Sequence, residues 1–152
     1  MSLVRNIPST VSAQNLVVLD ASVWVSRTIN TDTNHAVARR WIDQHLRARG
    51  AFVVPLLFQV EIAAAIARVT KDTVLASRQV AQLRRLNARR LLRFVPLNAH
   101  LVKAATTLAI NFGLRAADAV YAALAQSLSI PLVTFDTELL RLPSSTITTI
   151  RP

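Results

Sequence analysis

Apolar positions in this chain fall into two kinds of stretch. Leu16–Leu19, Ala51–Pro55, Arg93–Leu97 and Pro131–Asp136 are short and nearly continuous in apolar residues, and Thr146–Ile150 is short and β-branched. Runs of that length and composition read as strands, the apolar ones buried on both faces as in a parallel sheet. The segments between them carry helical spacing. They predict a short helix over Val23–Ile29 and another over Asn34–Arg49, with Ala36, Val37, Trp41 and Leu46 inward and Gly50 ending it. Further helices are expected at Leu56–Val69, at Thr73–Leu92 behind an Asp72 cap, and from Asn98 to Asn111 with Gly113 as its stop. Leu114–Leu128 and Thr137–Leu142 complete the set.

Strands alternating with helices imply βαβ crossovers and an α/β domain whose parallel sheet has helices on both faces. No repeat, low-complexity tract or linker divides the chain, so its 152 residues are expected to form one domain. Residues 1–15 are polar and broken by Pro8, lack the apolar core of a signal peptide, and are expected to be a leader. No apolar run approaches the ~20 residues of a spanning helix, so no membrane association is expected.

Composition narrows the chemistry. There is no cysteine, which removes disulfides, thiolate zinc sites and a cysteine nucleophile, and is compatible with a reducing cytoplasm. Two glycines and no GxGxxG or GK[ST] sequence argue against a phosphate-cradling loop, and no GxSxG elbow is present. His35, His45 and His100 are far apart and read as surface or half-buried residues, while Trp24 and Trp41 fall at apolar helical positions. The net charge of +10 points to a polyanionic partner, either nucleic acid or an acidic protein.

Against that charge stand only eight acidic residues. Asp32, Asp43, Asp72 and Glu138 lie in polar or helix-start surroundings and read as caps or solvated charges. The other four differ. Asp20 and Asp136 end apolar strands, where each is either a helix cap or a ligand at the carboxyl edge of the sheet. Glu61 sits in an alanine-rich helix with no cation at i±3 or i±4, so it either points out through a gap or is compensated from a distance. Asp118 lies in the other alanine-rich helix, with Arg115 as an i−3 partner. In a parallel sheet these four can reach one edge. Crowded carboxylates repel unless a divalent cation neutralises them, and an all-oxygen set suits Mg²⁺ or Mn²⁺. Such a centre in a basic protein points to phosphodiester hydrolysis, the arginines holding the polyanion and the metals activating water. Ser22 and Thr134, each two residues from an Asp, are hydroxyl partners of the site or ordinary turn and strand-end residues.

Leu19-Asp20-Ala21-Ser22, Val60-Glu61-Ile62, Leu114-Arg115-Ala116-Ala117-Asp118-Ala119 and Thr134-Phe135-Asp136 resemble, in order, the acidic motifs of the PIN domain, and most nearly those of VapC toxins from toxin–antitoxin pairs. The resemblance runs from Leu16 to Ile150. It implies a three-layer α/β/α domain over residues 16–152, with a five-stranded parallel sheet of order 3-2-1-4-5. It also implies a Mg²⁺- or Mn²⁺-dependent ribonuclease leaving 5′-phosphate and 3′-hydroxyl ends, commonly a homodimer, and inhibited by a VapB-like antitoxin. Carried over by position, Asp20, Glu61, Asp118 and Asp136 are the metal and catalytic acids, with Ser22 and Thr134 at the family's hydroxyl positions; Arg115, by its spacing from Asp118, is a further supporting residue. The helix after Glu61, with Arg84, Arg85, Arg89 and Arg90, resembles the antitoxin-facing region by topology. Those arginines can equally track RNA phosphates or form a solvated face. An RNA-processing nuclease without an antitoxin, and a non-catalytic metal- or RNA-binding module, are the competing expectations.

Overall fold

The computed structural model describes residues 15–152. Of the expected leader over residues 1–15, all but Asn15 lies outside them, and the Asn15 amide donates to the carbonyl of Ala48 at 2.8 Å.

Five strands form one sheet of order β3-β2-β1-β4-β5, and every pairing is parallel. The strands are β1 (Leu16–Leu19), β2 (Ala51–Pro55), β3 (Leu92–Val95), β4 (Leu132–Val133) and β5 (Thr149–Ile150). The helices are α1 (Ala21–Thr28), α2 (His35–Arg47), α3 (Phe58–Thr70), α4 (Thr73–Ala88), α5 (Ala99–Phe112), α6 (Ala116–Leu128) and α7 (Thr137–Leu140). This is the three-layer α/β/α arrangement with the 3-2-1-4-5 order expected above. β1 and β2 are buried along their whole length, as continuous apolar runs in a covered parallel sheet should be.

Several boundaries differ from the sequence reading. α4 stops at Ala88, with Arg89 and Arg90 in the turn that follows, and Arg90 takes a left-handed φ of 61°. Leu92 therefore belongs to β3, which ends before Pro96. β4 pairs over only Leu132 and Val133, because the chain then turns into the side-chain and capping interactions of Thr134–Asp136. On α2 Ala38 and Ile42 are buried and the expected Trp41 and Leu46 pack half-buried against the core, while Ala36 and Val37 are exposed. That helix ends at Arg47 and not on a glycine cap: Arg49 takes the left-handed turn, and Gly50 instead leaves room for the His45 ring, which a Cβ would strike. Gly113, at φ 67°, closes α5 as expected. Among the described residues no single helix is long and apolar enough to cross a membrane.

The core matters to the site through one row of rings. Trp24 of α1 meets Phe58 of α3 edge-on at 6.5 Å, and Phe58 meets Tyr121 of α6 edge-on at 6.5 Å. All three are fully buried. The row joins the three helices that carry Ser22, Glu61 and Asp118, so packing energy fixes their relative positions.

Candidate active site

β1 delivers Asp20 to the carboxyl edge of the sheet, where it is 5% exposed. It occupies the cap position of α1 but accepts no capping hydrogen bond with its side chain. Its Oδ2 instead accepts from the Ser22 hydroxyl at 2.6 Å and the Thr134 hydroxyl at 2.7 Å. Those hydroxyls are held in turn, since Ser22 Oγ accepts from the Phe135 amide at 3.2 Å and Thr134 Oγ1 from the Asp136 amide at 2.9 Å. The β1 and β4 ends are thus laced together around one carboxylate.

Asp136 does cap α7, accepting from the Glu138 and Leu139 amides with Oδ1 at 2.8 and 3.1 Å. Its Oδ2 lies 3.5 Å from Arg115 Nη2. Asp118, in the first turn of α6, pairs with Arg115 Nε at 3.4 Å through its own Oδ2. The same guanidinium reaches Glu138 Oε2 at 3.9 Å. Glu61, in the first turn of α3, accepts through Oε2 from the Tyr121 hydroxyl.

Asp20, Glu61, Asp118 and Asp136 line one cavity of about 590 Å³, together with Arg68 and Arg115. Their charges are felt across it. Burial raises the pKa of Asp20, and Asp136 adds to the rise against the opposing Ser22 and Thr134 hydrogen bonds. Burial also raises Glu61, helped by Asp20 and Asp118 and opposed by Tyr121. Asp118 is pushed up to about 6 by burial and by the Asp136 and Asp20 charges, with Arg115 pulling the other way. One arginine does not neutralise this group.

Tyr121 and Glu138 were not singled out by the sequence reading. Tyr121 carried a signal, being the only tyrosine in the chain and one turn beyond Asp118 on an alanine-rich helix. Glu138 was read as a helix-start residue. Yet Asp118, Asp136 and Glu138 can each present an oxygen within 4.8 Å of the other two, the spacing of a metal-binding group. The Ser22 and Thr134 hydroxyls both go to Asp20 Oδ2, the Tyr121 hydroxyl to Glu61 Oε2 and the Arg115 guanidinium to Asp118 Oδ2. Each held through one oxygen, and repelling one another as a set, these carboxylates fit a hard divalent cation.

Arg84 and Arg85 are exposed on α4 and border a groove of about 650 Å³ between α3 and α4. Arg89 and Arg90 are exposed in the turn beyond it, away from that lining.

Residues 17–144 match the model of the PIN domain family, and the chain belongs to that family. Comparison with curated protein sequences gives no match. Among solved structures it is similar to VapC20 of Mycobacterium tuberculosis, described as a sarcin–ricin loop cleaving toxin. That match has TM-score 0.69 and 18% identity, covering 90% of this chain and 99% of the other. It is also similar to VapBC2 of Rickettsia felis, solved with a promoter DNA fragment, at TM-score 0.66 and 13% identity over 90% and 98% of the two chains. FitAcB of Neisseria gonorrhoeae gives TM-score 0.63 and 18% identity over 88% and 95%. At these identities the likeness is one of fold.

Proposed function

We propose that this PIN domain is a divalent-metal-dependent ribonuclease acting as the toxin of a toxin–antitoxin pair. The observation that carries the reading is the meeting of Asp20, Glu61, Asp118 and Asp136 in one cavity of a protein with net charge +10. These acids would hold Mg²⁺ or Mn²⁺, with Glu138 joining Asp118 and Asp136. When bound, the ion supplies charge neutralisation at the phosphodiester and a lowered pKa for the water that hydrolyses it, giving 5′-phosphate and 3′-hydroxyl ends. The chain's own residues orient and select. Ser22 and Thr134 fix Asp20 and oppose the rise that burial imposes on its pKa, Tyr121 does the same for Glu61, and no side-chain nucleophile is required. Arg115 has a 72% exposed side chain and can turn from the acids to a substrate phosphate.

RNA as substrate is supported by the fold's likeness to a loop-cleaving toxin, and an antitoxin partner by its likeness to toxin–antitoxin complexes. The α3–α4 groove, floored by Ala67 and Ala76 and edged by Arg84 and Arg85, suits an antitoxin segment that is apolar on one side and acidic on the other. A homodimer is the assembly we propose for the chain, with exposed apolar Val60 and Ile110 available to the contact. The test is to sequence RNA ends after induced expression of wild type and Asp20→Asn. New 5′-phosphate ends at defined positions in the wild type alone support the proposal, and identical end profiles remove it.

A further inference from the structure

The cavity that holds the acids also extends along α3. Glu61, Ala64, Ala65 and Arg68 all line it, and their i, i+3, i+4, i+7 spacing places them on one face of that helix. The two alanines leave the space between the ends of this face unfilled by side chain. Arg68 stands two turns from Glu61, about 10 Å along the axis. That is too far to join the carboxylate group. Among the described residues Arg68 makes no ion pair within 4.0 Å, unlike Arg115, which is tied to three acids. Its side chain is exposed, so no packing requirement explains a guanidinium there. The opposite wall belongs to α1 and the loop after it, through Val25, Ser26 and Asp32. The acid on that wall, Asp32, turns one oxygen to the Asn34 amide at 2.7 Å, and it confines an anion to the α3 side.

We propose that Arg68 is a phosphate-binding residue of an RNA subsite on α3, holding the strand at least one nucleotide away from the scissile bond. The alanine-floored stretch between Glu61 and Arg68 would take the intervening sugar and base. This inference rests on the ribonuclease reading of the carboxylate cavity and adds to it a direction for the bound strand, away from Asp118 and along α1 and α3. The simpler role for Arg68 is to complement the carbonyl end of α3, whose last turn it occupies. The two roles differ in what salt does to binding.

The experiment measures binding of a short single-stranded RNA to the full chain carrying Asp20→Asn, by fluorescence anisotropy over a range of salt concentrations. Arg68→Gln and Arg68→Lys are compared in that background. A single lost phosphate contact should lower the slope of log affinity against log salt by about 0.7, and Arg68→Lys should restore most of it. In the otherwise wild-type chain, the Arg68→Gln loss should fall on KM more than on kcat, and it should vanish with RNA shortened on the side away from the cut. An unchanged salt slope in Arg68→Gln, with RNA still bound and still cleaved by the wild type, overturns the subsite alone. A lowered melting temperature with that unchanged slope assigns Arg68 to its helix end and also overturns it. Failure of the wild type to bind or cleave any RNA overturns the ribonuclease reading itself, and the subsite with it.

Discussion

Tyr121, buried in α6, donates its hydroxyl to the carboxylate of Glu61 in α3, sixty positions earlier in the chain. The acid sits between two helices and is fixed by a residue that belongs to the core. Burial and the Glu61 charge both raise the Tyr121 pKa, so the phenol stays protonated and remains a donor. Replacing it with phenylalanine leaves a half-buried carboxylate oxygen without its partner. The expected loss is about 1–3 kcal/mol of stability, read as a fall in melting temperature. Cleavage should fall by roughly tenfold, the equivalent of one such hydrogen bond at the reacting centre.

Asp20 is the opposite case, a carboxylate that folding tolerates rather than needs. It is almost fully buried and its pKa is raised by that burial despite two hydroxyl donors. Asp20→Asn keeps the volume and an oxygen for Ser22 and Thr134 while removing the charge. In the presence of chelator the variant should melt at the same temperature as wild type or above it. Its cleavage should fall by a thousandfold or more, roughly the several kcal/mol of charge stabilisation that a correctly held cation supplies. A variant that unfolds would contradict this division between stability and activity.

Burial, with the charges of Asp136 and Asp20 added to it, gives the metal-free protein a pH signature at Asp118. The folded pKa of Asp118, about 6, lies above its ordinary 3.8, so the folded state favours the protonated form. That contribution to stability is complete below about pH 4 and is lost as pH rises through about 6. Asp118→Asn should therefore stabilise the chelated protein near neutrality and have little effect near pH 4, as measured by denaturant midpoints across that range. Divalent-ion affinity should run the other way and weaken below about pH 6, as the ligand takes up its proton.

Arg115 acts as a resident counter-ion for Asp118, Asp136 and Glu138, at 3.4–3.9 Å. Its side chain is mostly exposed, so these pairs are screened, and Arg115→Ala should cost the metal-free protein at most about 1 kcal/mol. Titration of Mn²⁺ should show tighter binding in the variant, because a competing cation has gone. Cleavage should nonetheless fall, because the guanidinium is no longer there for the phosphate.

Much of this was legible in the sequence, for physical reasons that also mark where legibility stopped. Leu16–Leu19 and Ala51–Pro55 read correctly because a strand buried on both faces needs an unbroken apolar run. α4 was read too long because Leu91 and Leu92 continue its apolar pattern, and no glycine or proline announces the turn that Arg89 and Arg90 make. On α2 Trp41 and Leu46 do pack against the core, but its first turn was misplaced, since Ala36, Val37 and Ala38 offer near-equal apolar choices and only packing decides among them. Asp20 and Asp136 stood out because each ends an apolar strand at the carboxyl edge of the sheet, and Glu61 and Asp118 because each lies in an alanine-rich helix. Whether Asp20 capped a helix or faced a cavity depended on Thr134, 114 residues away. The tie between Glu61 and Tyr121 is equally long-range, and Arg68 declares itself only once α1 closes the other side of the groove.

The most direct measurement is RNA cleavage by the purified chain with Mg²⁺, with Mn²⁺ and with excess chelator, run beside Asp20→Asn. Cleavage by the wild type with either ion, its abolition by chelator, and its absence in the variant are expected from a cation held by these four acids. Undiminished cleavage by metal-stripped Asp20→Asn would contradict that claim.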